Sequence, residues 1–391
     1  MDAANDVAVG HDLSSQLLTW YEREKRDLPW RKTGNPYAIW VSEVMLQQTQ
    51  VKTVIPYYER FLKLFPSVDQ LAAASLEDVL TVWSGLGYYS RARRMWEGAR
   101  YICDQCGGRM PENYDSLLLV PGIGRYTAGA IASIAFGHRV AAIDGNVLRV
   151  VSRLLTWSEP VETVRTHRHF NDYLMAWQPA SQPGIFNQAL MELGATVCTP
   201  SKPECSHCPL AQDCQGYLSG DFLRYPVKKP KAKRQEVTRL TFVIRRGNQV
   251  YLQRRPEQGL LANLWEFPGV ELRRHSTKEG LPSISYEEFL GFFQKAVPVR
   301  TFDECIRKQC ELGPILHGPV WYTFSHRLWK IIWAIVDLSI YEQIAPSLIK
   351  EANENYEEKG CWISVQDLAL IALPVAFKAI AEELKNEKVK F

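Results

Sequence analysis

The chain has 391 residues, 46% hydrophobic and 23% charged, and its 46 basic and 43 acidic side chains leave a net charge of +3. That length and composition suit a folded globular protein of two or three domains. So small a positive excess excludes bulk electrostatic attraction to nucleic acid, and any such affinity must come from local patches. No apolar run approaches the roughly 18 residues of a membrane span, and the opening MDAANDVAVGHD lacks the basic start and apolar core of a signal peptide. Four of the nine cysteines crowd into residues 198–214, the pattern of a metal site in a reducing compartment rather than of a disulfide framework. A cytoplasmic protein without membrane attachment is expected.

In chain order, Leu13, Leu17, Leu18, Trp20 and Tyr21 recur at helical spacing and predict an amphipathic helix over 13–26. Leu28-Pro29-Trp30-Arg31 breaks it. Asn35-Pro36 then offers an N-cap and a first-turn proline for a long helix through Tyr37–Gln50. Glu43 lies inside that helix among Trp40 and aliphatic residues, and it reads two ways. It faces water, the commoner fate of a glutamate, or it sits in a poorly hydrated place where burial raises its pKa and lets it hold a proton. Gln47-Gln48-Thr49-Gln50 follows, four uncharged polar residues whose amides and hydroxyls suit base edges.

Residues 51–80 read as helices punctuated by Pro56 and Pro66. The run from Trp83 to Arg91, with Leu86, Tyr88 and Tyr89 between glycines and Arg91, Arg93 and Arg94 behind, is either a packing loop or a stacking surface beside phosphate-binding charge. Cys103-x2-Cys106 has no second pair nearby and reads as incidental. An apolar helix end at 117–120 meets Pro121-Gly122-Ile123-Gly124, and a second helix is expected from about Tyr126 to Phe136. The glycines permit a tight turn and bare N–H groups at a helix start, where an anion such as a phosphate is favoured; a plain glycine-capped hairpin is the competing reading. Asp144-Gly145-Asn146 precedes a third helix, with Asp144 placed as an N-cap that can also face a bound strand.

A helix over 187–197 leads into Cys198-x6-Cys205-x2-Cys208-x5-Cys214. Four thiolates within 17 residues can wrap one soft metal centre, either zinc or an iron–sulfur cluster, but zinc ribbons usually present two C-x2-C pairs. Arg224 to Arg234 is basic and proline-containing without apolar periodicity, a linker. Beyond it, 238–244, 250–253 and 329–338 predict strands and 374–386 a closing helix.

Several of these strings resemble one family. The hairpin with Asp144 resembles the helix–hairpin–helix and catalytic aspartate of the endonuclease III superfamily of DNA glycosylases. The C-x6-C-x2-C-x5-C spacing resembles that superfamily's [4Fe–4S] loop, which implies Cys198, Cys205, Cys208 and Cys214 as ligands. WVSEVMLQQT is similar to the segment that marks the adenine-specific branch, and GLGYYSR to a wedge loop that enters the base stack, with Leu86 and Tyr88 as candidates. Leu260 to Gly269 resembles the entry to a Nudix fold, yet no REx2EE-type carboxylate cluster follows. Phe324-Ser325-His326 resembles the loop by which that branch recognises 8-oxoguanine.

The resemblance implies a multi-domain protein. Residues 1–221 form an all-α glycosylase domain, 222–235 a basic linker, and 236–391 an α+β Nudix-like recognition domain without hydrolase chemistry. It implies a monomeric, nucleoid-associated, bacterial-type repair enzyme acting on double-stranded DNA that carries adenine opposite 8-oxoguanine. Glu43 is then the general acid at ring nitrogen 7, and Asp144 stabilises an oxocarbenium-like sugar. Tyr126 and Asn146 support Asp144 and the water, and Gly122 and Gly124 hold a phosphate. Trp30, Arg31, Leu46 and Gln188 wall the pocket of the flipped base. Gln48, Thr49 and Ser325 read the opposite base. Tyr126 stands where lyase relatives carry a Schiff-base lysine, so hydrolysis without strand cleavage is expected. The alternatives are an endonuclease III-type lyase, a binding-only DNA scanner and a nucleotide pyrophosphatase.

Overall fold

The computed structural model describes residues 13–230, 233–272, 281–297, 314–339 and 360–386. It divides into two compact units, residues 1–79 with 91–230 and residues 80–90 with 231–391. Among the described residues no helix is long and apolar enough to cross a membrane.

The first unit is helical. It begins with α1 (Leu13–Glu24), a 3-10 turn at Pro29–Arg31, α2 (Pro36–Leu46), α3 (Val51–Leu64) and α4 (Val68–Ala73); α5 (Leu76–Trp83) and α6 (Tyr89–Cys106) flank the 80–90 segment. The unit continues with α7 (Tyr114–Leu118), α8 (Arg125–Ile134), α9 (Gly145–Leu154), α10 (Val164–Trp177), α11 (Pro183–Thr196) and a single turn, α12 (Gln215–Leu218). Asn35 caps α2, accepting from the Tyr37 and Ala38 amides at 2.9 and 3.3 Å, with Pro36 in the first turn. Residues Tyr37 to Met45 are all buried, so α2 is covered on every side. Whichever way Glu43 points, it points away from bulk water.

Two expectations about helix ends need correction. The helix ends at Leu46, not Gln50. Gln48 takes a positive φ of 58°, and Arg91 donates to the carbonyls of Val44, Met45 and Gln47, satisfying the orphaned C-terminal groups with a cation where the helix dipole favours one. Pro56 does not break a helix but sits within α3, in its second turn, where only one intrahelical hydrogen bond is lost.

Helix α11 runs through the middle of the unit, packing on α1, α8 and α9 around Leu17, Trp20, Val150, Phe170, Phe186 and Leu190. Its Gly194 sits against the start of α9, where a Cβ would lie 2.5 Å from Cβ of Asn146. Gly194→Ala should therefore push α9 away from α11. The expected cost is about 1–3 kcal/mol in a denaturant melt, with loss of activity in excess of the unfolded fraction, because Asp144 and Asn146 ride on α9.

The second unit is built on a mixed seven-stranded sheet in the order β3-β2-β1-β6-β5, with β4 also pairing β1 and β7 pairing β2. The strands are β1 (Gln235–Arg246), β2 (Gln249–Arg254), β3 (Trp265–Glu266), β4 (Gly269–Leu272), β5 (His317–Thr323), β6 (Arg327–Asp337) and β7 (Gly360–Ser364). β1 and β6 run parallel from Gln235↔Arg327 to Arg245↔Asp337. Leu240, Phe242 and Ile244 face α13 (Tyr286–Ala296), while Val243, Trp329 and Ile331 face α14 (Val375–Lys385). Cover on both faces explains why β1 is buried without a break from Val237 to Ile244, Thr238, Arg239 and Thr241 included. Glu266, in the Nudix-like string, is buried and held by Arg239 at 2.8 Å and by Arg255. It serves the core. Residues 273–280, where a Nudix hydrolase would carry its carboxylate helix, lie outside the described residues, as does the N-terminal segment 1–12.

Candidate active site

One cleft of about 900 Å3 in the helical unit gathers the chemistry. Glu43, Tyr126, Asp144 and Asn146 line it, together with Trp30, Arg31, Leu46, Gln48, Thr49, Gly124 and Gln188. These come from five separate stretches of chain: the 3-10 turn, α2 and its end, the start of α8, the start of α9, and α11.

The Glu43 carboxyl is 5% exposed and accepts from the Tyr126 hydroxyl, which also contacts Met191 Sδ at 3.5 Å. Burial pushes its pKa up to about 7; Asp144 adds to the rise, while the Tyr126 hydrogen bond and Arg31 hold it back. Burial also raises the Tyr126 phenol well above its ordinary value, with Glu43 and Asp144 adding to it. Tyr126 is therefore a fixed neutral donor.

Asp144 caps α9. Its Oδ1 accepts from the Asn146 and Val147 amides at 2.9 and 2.8 Å, and its Oδ2 from Asn146 Nδ2 at 2.7 Å. Burial raises its pKa, but these donors and the Arg149 cation oppose the rise. Three donors favour the charged form, where Glu43 has one. The two carboxyls thus differ in the sense required of an acid and an anion sharing one substrate. Arg149 extends the support, donating to Asn146 Oδ1 at 2.9 Å, Gly194 O at 2.7 Å and Cys198 O at 2.8 Å.

Beside the cleft, Gly122 takes a φ of +82° at the hairpin and Gly124 stands at the N-cap of α8. A Cβ on Gly122 would meet Arg94 at 2.9 Å, so the turn needs glycine twice over. Gly122 itself does not line the cleft, and the anion-facing amides belong to the Gly124 side. Of the wedge candidates, Leu86 is buried at 6% exposure, whereas Tyr88 is 46% exposed with a φ of +50°. Of the two, Tyr88 is the one at the surface. In the second unit Phe324 packs edge-on against Tyr322 and Trp329, and its amide closes the β5–β6 hairpin on Arg327 O at 2.8 Å, leaving Ser325 and His326 exposed at the tip. Phe324 is a support for the loop rather than part of its exposed face.

Cys198, Cys205, Cys208 and Cys214 are free thiols lining one small cavity with Arg153 and Val197. Among the described residues no three His, Cys, Asp or Glu side chains meet at the spacing of a single ion. The four thiols surround a space rather than a point. Arg153, itself buried, donates to Cys198 Sγ at 3.3 Å and to the carbonyls of Thr199 and Pro200 at 2.8 and 2.9 Å, fixing the loop and placing a cation beside sulfur.

Sequence reasoning placed Arg31 in the pocket wall but missed Glu192 and Arg26, with which Arg31 forms an ion-pair cluster around the buried Glu192 carboxylate. It also missed Met191, Thr127 and Arg149 as lining residues. The i, i+4 spacing of Gln188 and Glu192 on α11 was the available signal, since it puts both on the face that Gln188 presents to the cleft.

Comparison with known proteins identifies the family. Residues 41–174 match the HhH-GPD superfamily base excision DNA repair protein family, and residues 240–383 match the NUDIX domain family. An adenine DNA glycosylase of Buchnera aphidicola (subsp. Schizaphis graminum) is 31% identical over 373 residues, covering 95% of this chain and 98% of that one. The chain belongs to the adenine DNA glycosylase family. The family member of Mus musculus is 44% identical over 321 residues, 68% of this chain and 62% of its own length, so this chain spans under two thirds of the mammalian relative. Among solved structures, a thermostable thymine-DNA glycosylase is 29% identical with a TM-score of 0.49, over 53% of this chain and 95% of that one. A trapped endonuclease III–DNA covalent intermediate is 24% identical with a TM-score of 0.46 over the same shares, 53% and 95%. Family membership and the sheet topology together give the architecture: a helical HhH-GPD domain followed by a Nudix-like domain with a mixed sheet.

Proposed function

We propose that this chain is a monofunctional adenine DNA glycosylase that hydrolyses the N-glycosidic bond of adenine opposite 8-oxoguanine in duplex DNA. The observation that carries the reading is the pair Glu43 and Asp144 on one cleft, one carboxyl poor in donors and one rich in them. Adenine leaves poorly as an anion. Glu43, protonated near neutral pH, delivers a proton to ring nitrogen 7 so that the base departs neutral. The sugar left behind is electron-poor, and ionised Asp144 stabilises it while Asn146 keeps that carboxylate oriented. The adenine reaches these groups only if flipped from the stack, into the space between Trp30, Arg31, Leu46 and Gln188. Tyr126 is a phenol and cannot form a Schiff base with the sugar. Borohydride should therefore trap no covalent enzyme–DNA adduct during turnover, whereas an endonuclease III-type lyase would be trapped in gel-shifted form.

The cysteine cavity fits a [4Fe–4S] cluster, with one thiolate for each iron corner and Arg153 offsetting the negative charge of the assembly. Such a cluster would cross-link the loop between α11 and the linker; no chemical step needs it. Purified protein should hold about four irons and four sulfides per chain, and Cys208→Ala should lose the cluster together with the fold of 198–225. We assign the protein to the cytoplasm as a monomer on DNA.

Specificity for the base opposite adenine is assigned to Gln48 and Thr49 at the end of α2 and to Ser325 and His326 at the β5–β6 tip. The test is adenine release by the whole chain on duplexes that differ only in the opposite base. The Ser325→Ala, His326→Ala double variant should narrow the preference for 8-oxoguanine over guanine while sparing the guanine-paired rate. Equal loss on both duplexes would remove this role for the second unit.

A further inference from the structure

Glu192, on α11 one turn after Gln188, is fully buried at its side chain and lines the cleft of Glu43 and Asp144. Its Oε1 accepts from the Arg26 amide at 2.9 Å and Arg26 Nε at 2.8 Å; its Oε2 accepts from Arg26 Nη2 at 2.8 Å and Arg31 Nη2 at 2.7 Å. Arg31 then donates to Arg26 O at 3.0 Å and lies over the Tyr21 ring, whose hydroxyl reaches Gln188 Oε1 at 3.4 Å. One carboxylate therefore staples the whole 26–31 segment, including the pocket wall at Trp30, onto α11. It also sets the charge there. Two guanidiniums and one carboxylate leave a single net positive charge; without Glu192 there would be two, on Arg31 with a side chain 13% exposed and on Arg26 with one 37% exposed.

We propose that Glu192 is a positioning residue for the acid step, acting through Arg31: it neutralises and holds the guanidiniums so that Glu43 keeps its proton up to neutral pH. This rests on the adenine glycosylase reading and deepens it. Glu43 accepts from Tyr126 of α8 and lines the same cleft as Asp144 at the start of α9 and Arg31 of the 3-10 turn. Arg125, Arg149 and Lys228 also line the cleft, but nothing ties them to Glu192. Of these groups Arg31 is the cation that acts on Glu43 to oppose its protonation, and Glu192 is the group bonded to it. Glu192 can play this part because its own charge is secure. Burial would raise its pKa, and the hydrogen bonds from Arg26 and Arg31 overcome that to hold it at about 2.

The experiment is a single-turnover pH profile of adenine release by the full-length holoprotein and two variants at Glu192. In wild type the rate should fall on the alkaline side as Glu43 ionises. Glu192→Gln keeps the shape and removes the charge. Its alkaline midpoint should move down by about one pH unit, a tenfold lower rate at the alkaline end. Glu192→Asp keeps the charge and should leave the midpoint in place even if the maximum falls. An unchanged midpoint in Glu192→Gln, with the rate lowered equally at every pH, would reduce Glu192 to a structural staple and overturn the proposal. If Glu192→Gln does not fold, Arg31→Gln tests the same link in the opposite sense: its midpoint should move up, and an unmoved one overturns the proposal equally. A wild-type protein that releases no adenine from any duplex would instead remove the parent reading.

Discussion

Glu43→Gln is expected to slow adenine release by about 10²- to 10⁴-fold, the usual contribution of a positioned general acid, and at the same time to stabilise the protein at alkaline pH. The second effect separates this account from a purely structural role. Glu43 has a folded pKa of about 7 against an ordinary 4.5, so the native state favours its protonated form. The stability that this proton gives is fully present below about pH 4.5 and is lost as pH rises through about 7, where the buried group must ionise. Glutamine carries no such penalty and can still accept from Tyr126. In denaturant melts the variant should match wild type near about pH 4 and exceed it by on the order of 3 kcal/mol near about pH 8. A variant that is equally stable at both pH values would mean that Glu43 is hydrated, and the acid role would go with that.

Asp144→Asn should cost about 10²- to 10³-fold in rate with little change in stability. Asparagine is as good an N-cap as aspartate, so the amides of Asn146 and Val147 keep an acceptor and α9 keeps its start. What disappears is the negative charge facing the sugar. Asp144→Ala removes charge and cap together and should lose about 1 kcal/mol of stability besides. Comparing the two by melting temperature and single-turnover rate divides the electrostatic role from the structural one. In wild type, burial lifts the Asp144 pKa above the ordinary aspartate value, so activity should also fall on the acid side as this group protonates. The pH profile is then bell-shaped, with Asp144 setting the lower limb and Glu43 the upper.

How much of this could be read from residues alone depended on whether the governing interaction was local. Asn35-Pro36 and Asp144 act on chain within a few residues of themselves, and each caps or opens the helix that its type and position predicted. The strand periods of 250–253 and 329–338 and the closing helix were likewise local. Glu43 was ambiguous because the six residues around it cannot say what covers a helix. Only the packing of α2 on α3 and α8 decides that, and all of Tyr37 to Met45 proved buried. The end of α2 was misplaced because the group that terminates it, Arg91, is more than forty residues away. Leu86 and Tyr88 were named together as wedge candidates from the resemblance of GLGYYSR, which does not tell the two apart; packing does, burying Leu86 and leaving Tyr88 at the surface. The i, i+4 spacing could place Glu192 on the cleft face of α11, but nothing local pointed to its partners, since Arg31 and Arg26 lie 161 and 166 positions away and meet it only because α11 packs beside α1.

The claim beneath all of this is that Glu43 carries a proton at neutral pH while Asp144 does not. Infrared difference spectra of wild type against Glu43→Gln, recorded across a pH titration, observe that proton directly. The account requires a carboxylic acid signal, assignable to Glu43, that persists from mildly acid conditions and titrates away at about pH 7. A signal already replaced by carboxylate near the ordinary glutamate value of about 4.3 would contradict it.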